Sequence, residues 1–167
     1  MALIIEDGSP VADANSYVTA ANVTEFATLR GITLSSVADA HVESLIIKAM
    51  DFLESQEPRF RGSRVSADQM LSWPRQDVQL NGFDFPSTAI PVQLKKALCQ
   101  LAIDADTLDL MPTTDGREVI KEKVDVIETT YAESNSASPQ PALTAFFSLL
   151  APLLSSGGVF TLSMERA

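Results

Sequence analysis

The chain has one cysteine, one histidine and one tryptophan in 167 residues, and each scarcity removes a class of chemistry. Cys99 has no second thiol with which to close an internal disulfide, and its setting, LKKALCQLA, reads as a buried helix face in a reducing compartment. One Cys and one His fall short of the four nitrogen or sulfur ligands of a structural zinc site. A Ser-His-Asp or Cys-His centre would have to use His41, whose polar surroundings indicate an exposed residue at a helix start. No run approaches the roughly 18 to 20 apolar residues of a membrane span, so no membrane partner is expected. The opening MALIIEDG has a short apolar run, no basic start and acids directly after it, unlike a signal peptide; the expected site of synthesis is a cytoplasm. Basic residues are also scarce: 12 Lys+Arg face 22 Asp+Glu, a net charge of −10 and a pI near 4.4. Such a surface does not capture duplex DNA as a whole, and it suits a wall past which DNA must slide.

What is present suffices for a core: 46% apolar residues and a mean hydropathy of +0.10, in a chain of ordinary domain length. Thr19 reads as an N-cap before the stripe Val23, Phe26, Ala27, which Gly31 stops. Val42, Leu45, Ile46, Ala49, Met50 and Leu53 follow helical spacing until Pro58. A short helix is expected over Ala67–Leu71, and Pro74 imposes an extended conformation on Trp73. Asp77–Ala89, with its turn dipeptide Asn81-Gly82, reads as an irregular loop or small hairpin. Pro91 fits the first turn of a third helix carrying Leu94, Ala97, Leu98, Leu101, Ala102 and Ala105, ending near Leu110–Pro112.

Lys123–Tyr131, rich in β-branched residues and nearly alternating, reads as a strand. Ser134–Gln140 has linker composition; Leu143, Phe146, Phe147, Leu150 and Leu153 mark a last short helix. Beyond a Gly hinge, Val159–Met164 is strand-like, an apolar arm needing a sheet edge or a neighbouring subunit. The expected fold is mainly α: a small bundle of three to four helices with a short β excursion and an extended C-terminal arm. Residues 1–133 form the helical domain, with the excursion at about 121–131; 134–140 form the linker and 141–167 the last helix and arm.

Asp104, Asp106 and Thr107 spell the DxDxT pattern of haloacid-dehalogenase phosphotransferases. That chemistry needs its aspartates after a buried parallel strand, with a downstream Lys and a second acidic pair to hold magnesium. Here the preceding apolar residues have helical spacing, which favours a solvated helix face. Asp104, Asp106 and Asp109 also lack the glycine turn and terminal Glu of a calcium loop. No catalytic residue, metal site or cofactor is assigned.

The most distinctive stretch is Arg59–Arg75, RFRGSRVSADQMLSWPR, which gathers four of the seven arginines and the tryptophan. Three readings stand. Arg59, Arg61, Arg64 and Arg75 can brace the loop by pairing with acids such as Glu54, Glu57 and Asp68 while Trp73 anchors it to the helices. The same residues suit a subunit interface. Arginines with Phe60 and Trp73 could also line a groove for single-stranded nucleic acid.

ANSYV near the start, then FRG-x-R and Q-x-L-x-WPR in order, followed by IPVQLKKALCQLA and VIETTY, make the chain resemble a family of tailed-bacteriophage virion proteins. The resemblance covers roughly residues 3–154. These are head–tail connector, or neck adaptor, proteins, many of whose relatives are labelled DnaT-like single-stranded-DNA-binding proteins. It implies a non-enzymatic helical domain assembling as a homo-oligomeric ring, commonly dodecameric, under the portal protein. The ring would extend the channel for passing double-stranded DNA, without sequence-specific binding, and dock the next neck or tail-completion protein. The expected location is the virion neck, after synthesis in the host bacterial cytoplasm. On this reading Arg59, Arg61, Arg64, Trp73 and Arg75 brace the loop or the subunit boundary. Val124, Val126 and Tyr131 of the excursion and Val159, Phe160 and Leu162 of the arm reach neighbours, and Asp104, Asp106 and Asp109 are lumen-facing candidates because they cluster. The long arm, with Glu165 beside Arg166, departs from the family's more basic ending.

Overall fold

A computed structural model describes residues 2–111, 121–124, 127–130 and 143–155. Four helices form the frame: α1 (Ala20–Thr28), α2 (Asp39–Ser55), α3 (Val92–Asp104) and α4 (Thr144–Leu150). Three antiparallel two-stranded pairs accompany them: β1 (Ser63–Arg64) with β2 (Arg75–Gln76), β3 (Gln79–Leu80) with β4 (Phe83–Asp84), and β5 (Lys121–Val124) with β6 (Ile127–Thr130). The fold is mainly α with short β excursions.

Local chemistry explains the helix limits. Thr19 opens α1 with a reciprocal cap: its hydroxyl accepts from Asn22 N at 3.2 Å, and the Asn22 side chain accepts from Thr19 N at 3.0 Å. Gly31, at φ +65°, turns the chain out of that helix. Pro58 diverts the chain after α2 into a single 3₁₀ turn, Glu57–Arg59. The apolar stripes then meet: Val23 of α1, Leu45, Ile46 and Leu53 of α2, Leu94, Leu98 and Leu101 of α3 and Phe146 and Leu150 of α4 are all buried. Each such side chain contributes about 1.5–3 kcal/mol relative to exposure. Phe146 closes the bundle edge-on against Phe52 at 5.7 Å between ring centroids. Cys99 is buried on α3, which pushes its thiol up to about 12.

Three expectations are corrected. The third helix stops at Asp104, short of Leu110–Pro112. Beyond it Asp106 N and Thr107 N bond the carbonyls of Ile103 and Asp104 at 3.1 and 3.2 Å, a tighter three-residue turn, and the Asp106 carboxylate accepts from Ser35 N at 2.7 Å, which ties this turn to the loop after α1. Ala67–Leu71 is a run of turns, not a helix. The buried Gln69 amide supplies the bonds a helix would have made, accepting from Val65 N and Ser66 N at 3.0 Å and donating to the carbonyls of Leu71 and Pro74. The single strand over Lys123–Tyr131 is instead the pair β5 and β6, with Val124 opposite Ile127, so backbone groups of this stretch find partners within the chain. Val126, Tyr131, the linker 134–140 and the arm 159–164, with Val159, Phe160 and Leu162, lie outside the described residues.

Candidate functional site

Trp73 organises the arginine-rich loop. It precedes a cis Pro74 and is fully buried, with Phe60 and Phe85 edge-on at 6.0 and 6.2 Å. Its backbone N–H donates to the Tyr17 hydroxyl at 3.0 Å, and that hydroxyl donates to Glu54 Oε1 at 2.9 Å. Glu54 also accepts from Ser72 N at 2.8 Å and Ser72 Oγ at 3.0 Å. The ANSYV tyrosine, α2 and the WPR segment are thus one buried network. Burial raises the Glu54 carboxyl above the ordinary range. Burial and the charge of Glu54 push the Tyr17 phenol well up, so it remains a donor.

Each arginine has a distinct place. Arg75 is buried and donates to the carbonyls of Arg61 and Gly62 at 2.8 Å and of Ser72 at 3.2 Å; burial lowers its pKa. Arg64 forms a fork on Glu57, at 2.5 and 2.6 Å, and reaches the Gln69 carbonyl at 3.1 Å. The hydrogen bond from Arg64 pulls the Glu57 carboxyl down. Arg61 donates to Leu154 O at 2.9 Å and Gln79 O at 3.4 Å. Only Arg59 is exposed among the four; it bonds Gln56 Oε1 at 2.8 Å and lies over the Phe147 ring at 5.3 Å.

Gly62, at φ +70°, is required between them, because a Cβ there would sit 2.2 Å from Gln76 O. Of the acids expected to pair with these arginines, Glu57 does so, Glu54 serves Tyr17 and Ser72, and Asp68 is exposed with no ion pair among the described residues. The segment after α4 completes the loop: Phe60 bridges Leu154, Arg61 N reaches Leu153 O at 3.0 Å and Ser155 N reaches Arg59 O at 2.7 Å.

The three aspartates separate by environment. Asp109 is exposed and its side chain accepts from Met111 N at 3.1 Å. Asp104 is half-buried and bonded to Gln100, and burial raises its carboxyl. Asp106 accepts from Ser35 Oγ at 2.5 Å and Ser35 N at 2.7 Å, with His41 Nε2 at 3.0 Å, and these bonds hold its carboxyl at about 2. Ser35, His41 and Asp106 are therefore adjacent, yet both Ser35 and Asp106 meet the same ring nitrogen, whereas triad chemistry uses both nitrogens of the imidazole. The Ser35 proton points at the carboxylate. The cluster ties the loop after α1 to the end of α3, and His41, expected to be exposed, is half-buried within it.

Tyr17, Glu54 and Gln69 carry as much of this site as the arginines do. Their only signal in the sequence is their position inside or beside the motifs. Over residues 1–167 the chain matches the model of a protein family described as "Putative DnaT-like ssDNA binding protein". No curated protein and no solved structure matches it.

Proposed function

We propose that this chain, which belongs to the DnaT-like ssDNA binding protein family, is a structural adaptor of a tailed-phage neck. Copies assemble into a ring, commonly dodecameric, beneath the portal, extend the DNA channel and dock the next neck or tail component. The observation that carries this reading is the use to which the motif is put. Arg61, Arg64 and Arg75 are bonded to carbonyls and to Glu57, and Trp73 and Phe60 are buried, so the most distinctive residues hold a scaffold in shape. A net charge of −10 supports a wall that packaged DNA passes without sticking. Native mass spectrometry of the chain, alone and with the portal of the phage that encodes it, tests this: a ring is expected, and a chain that stays monomeric with portal present overturns it.

The second reading, binding of single-stranded DNA, is favoured by the family description. It would have to use surfaces other than Phe60 and Trp73, since a buried ring cannot stack on a base. Fluorescence anisotropy with a labelled oligonucleotide over a salt series separates the two. Affinity that falls steeply with salt supports strand binding, and absence of binding at low salt supports the adaptor.

A further inference from the structure

Two Asx-Gly pairs stand among the described residues, and the structure treats them in opposite ways. In such a pair the amide nitrogen of the glycine can attack the side-chain carbonyl before it, because no Cβ shields it. At Asp7-Gly8 that nitrogen is occupied: Gly8 N donates to Glu6 Oε1 at 2.9 Å, and the Asp7 carboxylate accepts from Ser9 N and Ser9 Oγ at 3.0 and 2.6 Å. A Cβ on Gly8 would lie 2.2 Å from Thr88 O, so the backbone there is also enclosed. At Asn81-Gly82 none of this holds. Both residues are exposed, a Cβ on Gly82 would meet nothing within 4 Å, and neither the Asn81 side chain nor Gly82 N has a hydrogen bond among the described residues.

The other described asparagines are held. Asn15 Oδ1 accepts from Ile4 N at 2.9 Å, and Ser16 N, the nitrogen that would attack, donates to Ile4 O at 3.3 Å. Asn22 Oδ1 accepts from Thr19 N at 3.0 Å, and Val23 N is bonded to Thr19 O at 3.3 Å at the start of α1. Asparagine is among the thermolabile residues, and Asn81 combines the unshielded successor with an amide that nothing restrains. Its place in the turn that pairs Leu80 with Phe83 gives the reaction a structural consequence.

We propose that Asn81 is a site of spontaneous covalent modification, converting with age to aspartate and isoaspartate with water as the only co-reactant. Gly82 N bonds to Asn81 Cγ and gives up its proton, the bond from Cγ to the amide nitrogen breaks, and ammonia leaves; the product is a five-membered succinimide. Water then adds to one of the ring's two carbonyls. Opening at Cγ gives aspartate in the original chain, and opening at the main-chain carbonyl gives isoaspartate, in which the chain runs through Cβ. The net change is uptake of one water and loss of one ammonia, without oxidation or reduction. Isoaspartate lengthens the backbone by one carbon within the two-residue turn, and loop length fixes hairpin register, so Leu80 and Phe83 lose their pairing. The base of the hairpin persists, because Val78 is buried, Phe85 packs edge-on to Trp73 and Phe85 N bonds Val78 O at 2.8 Å. None of this depends on the adaptor reading.

The test is to hold the folded full chain in warm, mildly alkaline buffer and to follow the peptides carrying Asn15, Asn22 and Asn81 by mass spectrometry, with an isoaspartate-specific methyltransferase to distinguish the two acids. An amide-to-acid mass gain is expected in the Asn81 peptide, with isoaspartate the larger product, while the Asn15 and Asn22 peptides keep their mass. Asn81→Gln, which would have to close a six-membered ring, should lose the gain and keep the wild-type melting temperature. Hydrogen exchange of the aged chain should quicken across residues 80–83 and stay slow at Phe85 N. A folded chain whose Asn81 peptide keeps its mass, while a synthetic peptide of residues 77–86 deamidates beside it, overturns the proposal, because the turn then protects the amide. A gain that appears only in urea does the same. Equal rates at Asn15 and Asn81 in the folded chain overturn the selection of Asn81 by its surroundings, and modification with unchanged exchange across residues 80–83 overturns the loss of register.

Discussion

Arg75 is a charge built into a core. A guanidinium carries five donors in a fixed plane, so one side chain can satisfy carbonyls of three residues, here Arg61, Gly62 and Ser72. A lysine ammonium has too short a reach and too few directions to do so. Arg75→Lys should therefore lower stability by about 2–3 kcal/mol, read as a lower urea midpoint with an unchanged slope. A midpoint equal to wild type would mean that the loop does not depend on this brace. Asp106 makes a prediction with a pH sign. Its folded pKa of about 2 lies below the unfolded value, so its contribution is complete above about pH 4 and is lost as pH falls toward 2. Asp106→Ala should lower the urea midpoint at pH 7, and the gap to wild type should close between pH 4 and 2. A gap independent of pH would show that the bonds from Ser35 are not what Asp106 contributes.

At the scale of elements, two glycines separate conformation from space. Gly31 and Gly62 both have left-handed φ, +65° and +70°, but a Cβ on Gly31 meets nothing within 4 Å, whereas on Gly62 it lies 2.2 Å from Gln76 O and 2.7 Å from Val78. Gly31→Ala should cost about 1–2 kcal/mol, the ordinary penalty for that conformation. Gly62→Ala must in addition push β1 from β2, so its melting temperature should fall further; equal losses would mean that the loop yields freely. The helices and the Asn81-Gly82 turn were legible because their causes are local, in apolar spacing, caps and turn dipeptides. The end of α3, the turns around Gln69 and the partners of Arg61 and Arg75 were not. Ser35 lies 71 residues from Asp106, and the Arg61 side chain bonds a carbonyl 93 residues away. The acceptors are mostly backbone carbonyls, which every residue possesses, so no residue type marks them.

For the whole molecule, the arginine loop is where the far end of the chain returns to the bundle. Phe60 bridges Leu154, and Ser155 bonds the Arg59 carbonyl through both its N–H and its hydroxyl, at 2.7 and 3.0 Å. Residues up to Ser155 are therefore part of the described fold, and the apolar stretch VFTLSM follows them in the sequence beyond the glycines. If that stretch serves assembly, two truncations should behave differently. Removing residues 157–167 leaves the bonds to Arg59 and Arg61 intact, so the melting temperature should stay near wild type while ring formation with portal is weakened. Removing residues 151–167 also takes away Leu153, which is fully buried, and the Leu153 and Leu154 carbonyls that Arg61 bonds, so the bundle itself should melt lower. A chain lacking 157–167 that forms rings as the full chain does would remove the arm from the assembly. The adaptor would then depend on surfaces of the described core, which removal of 157–167 leaves in place.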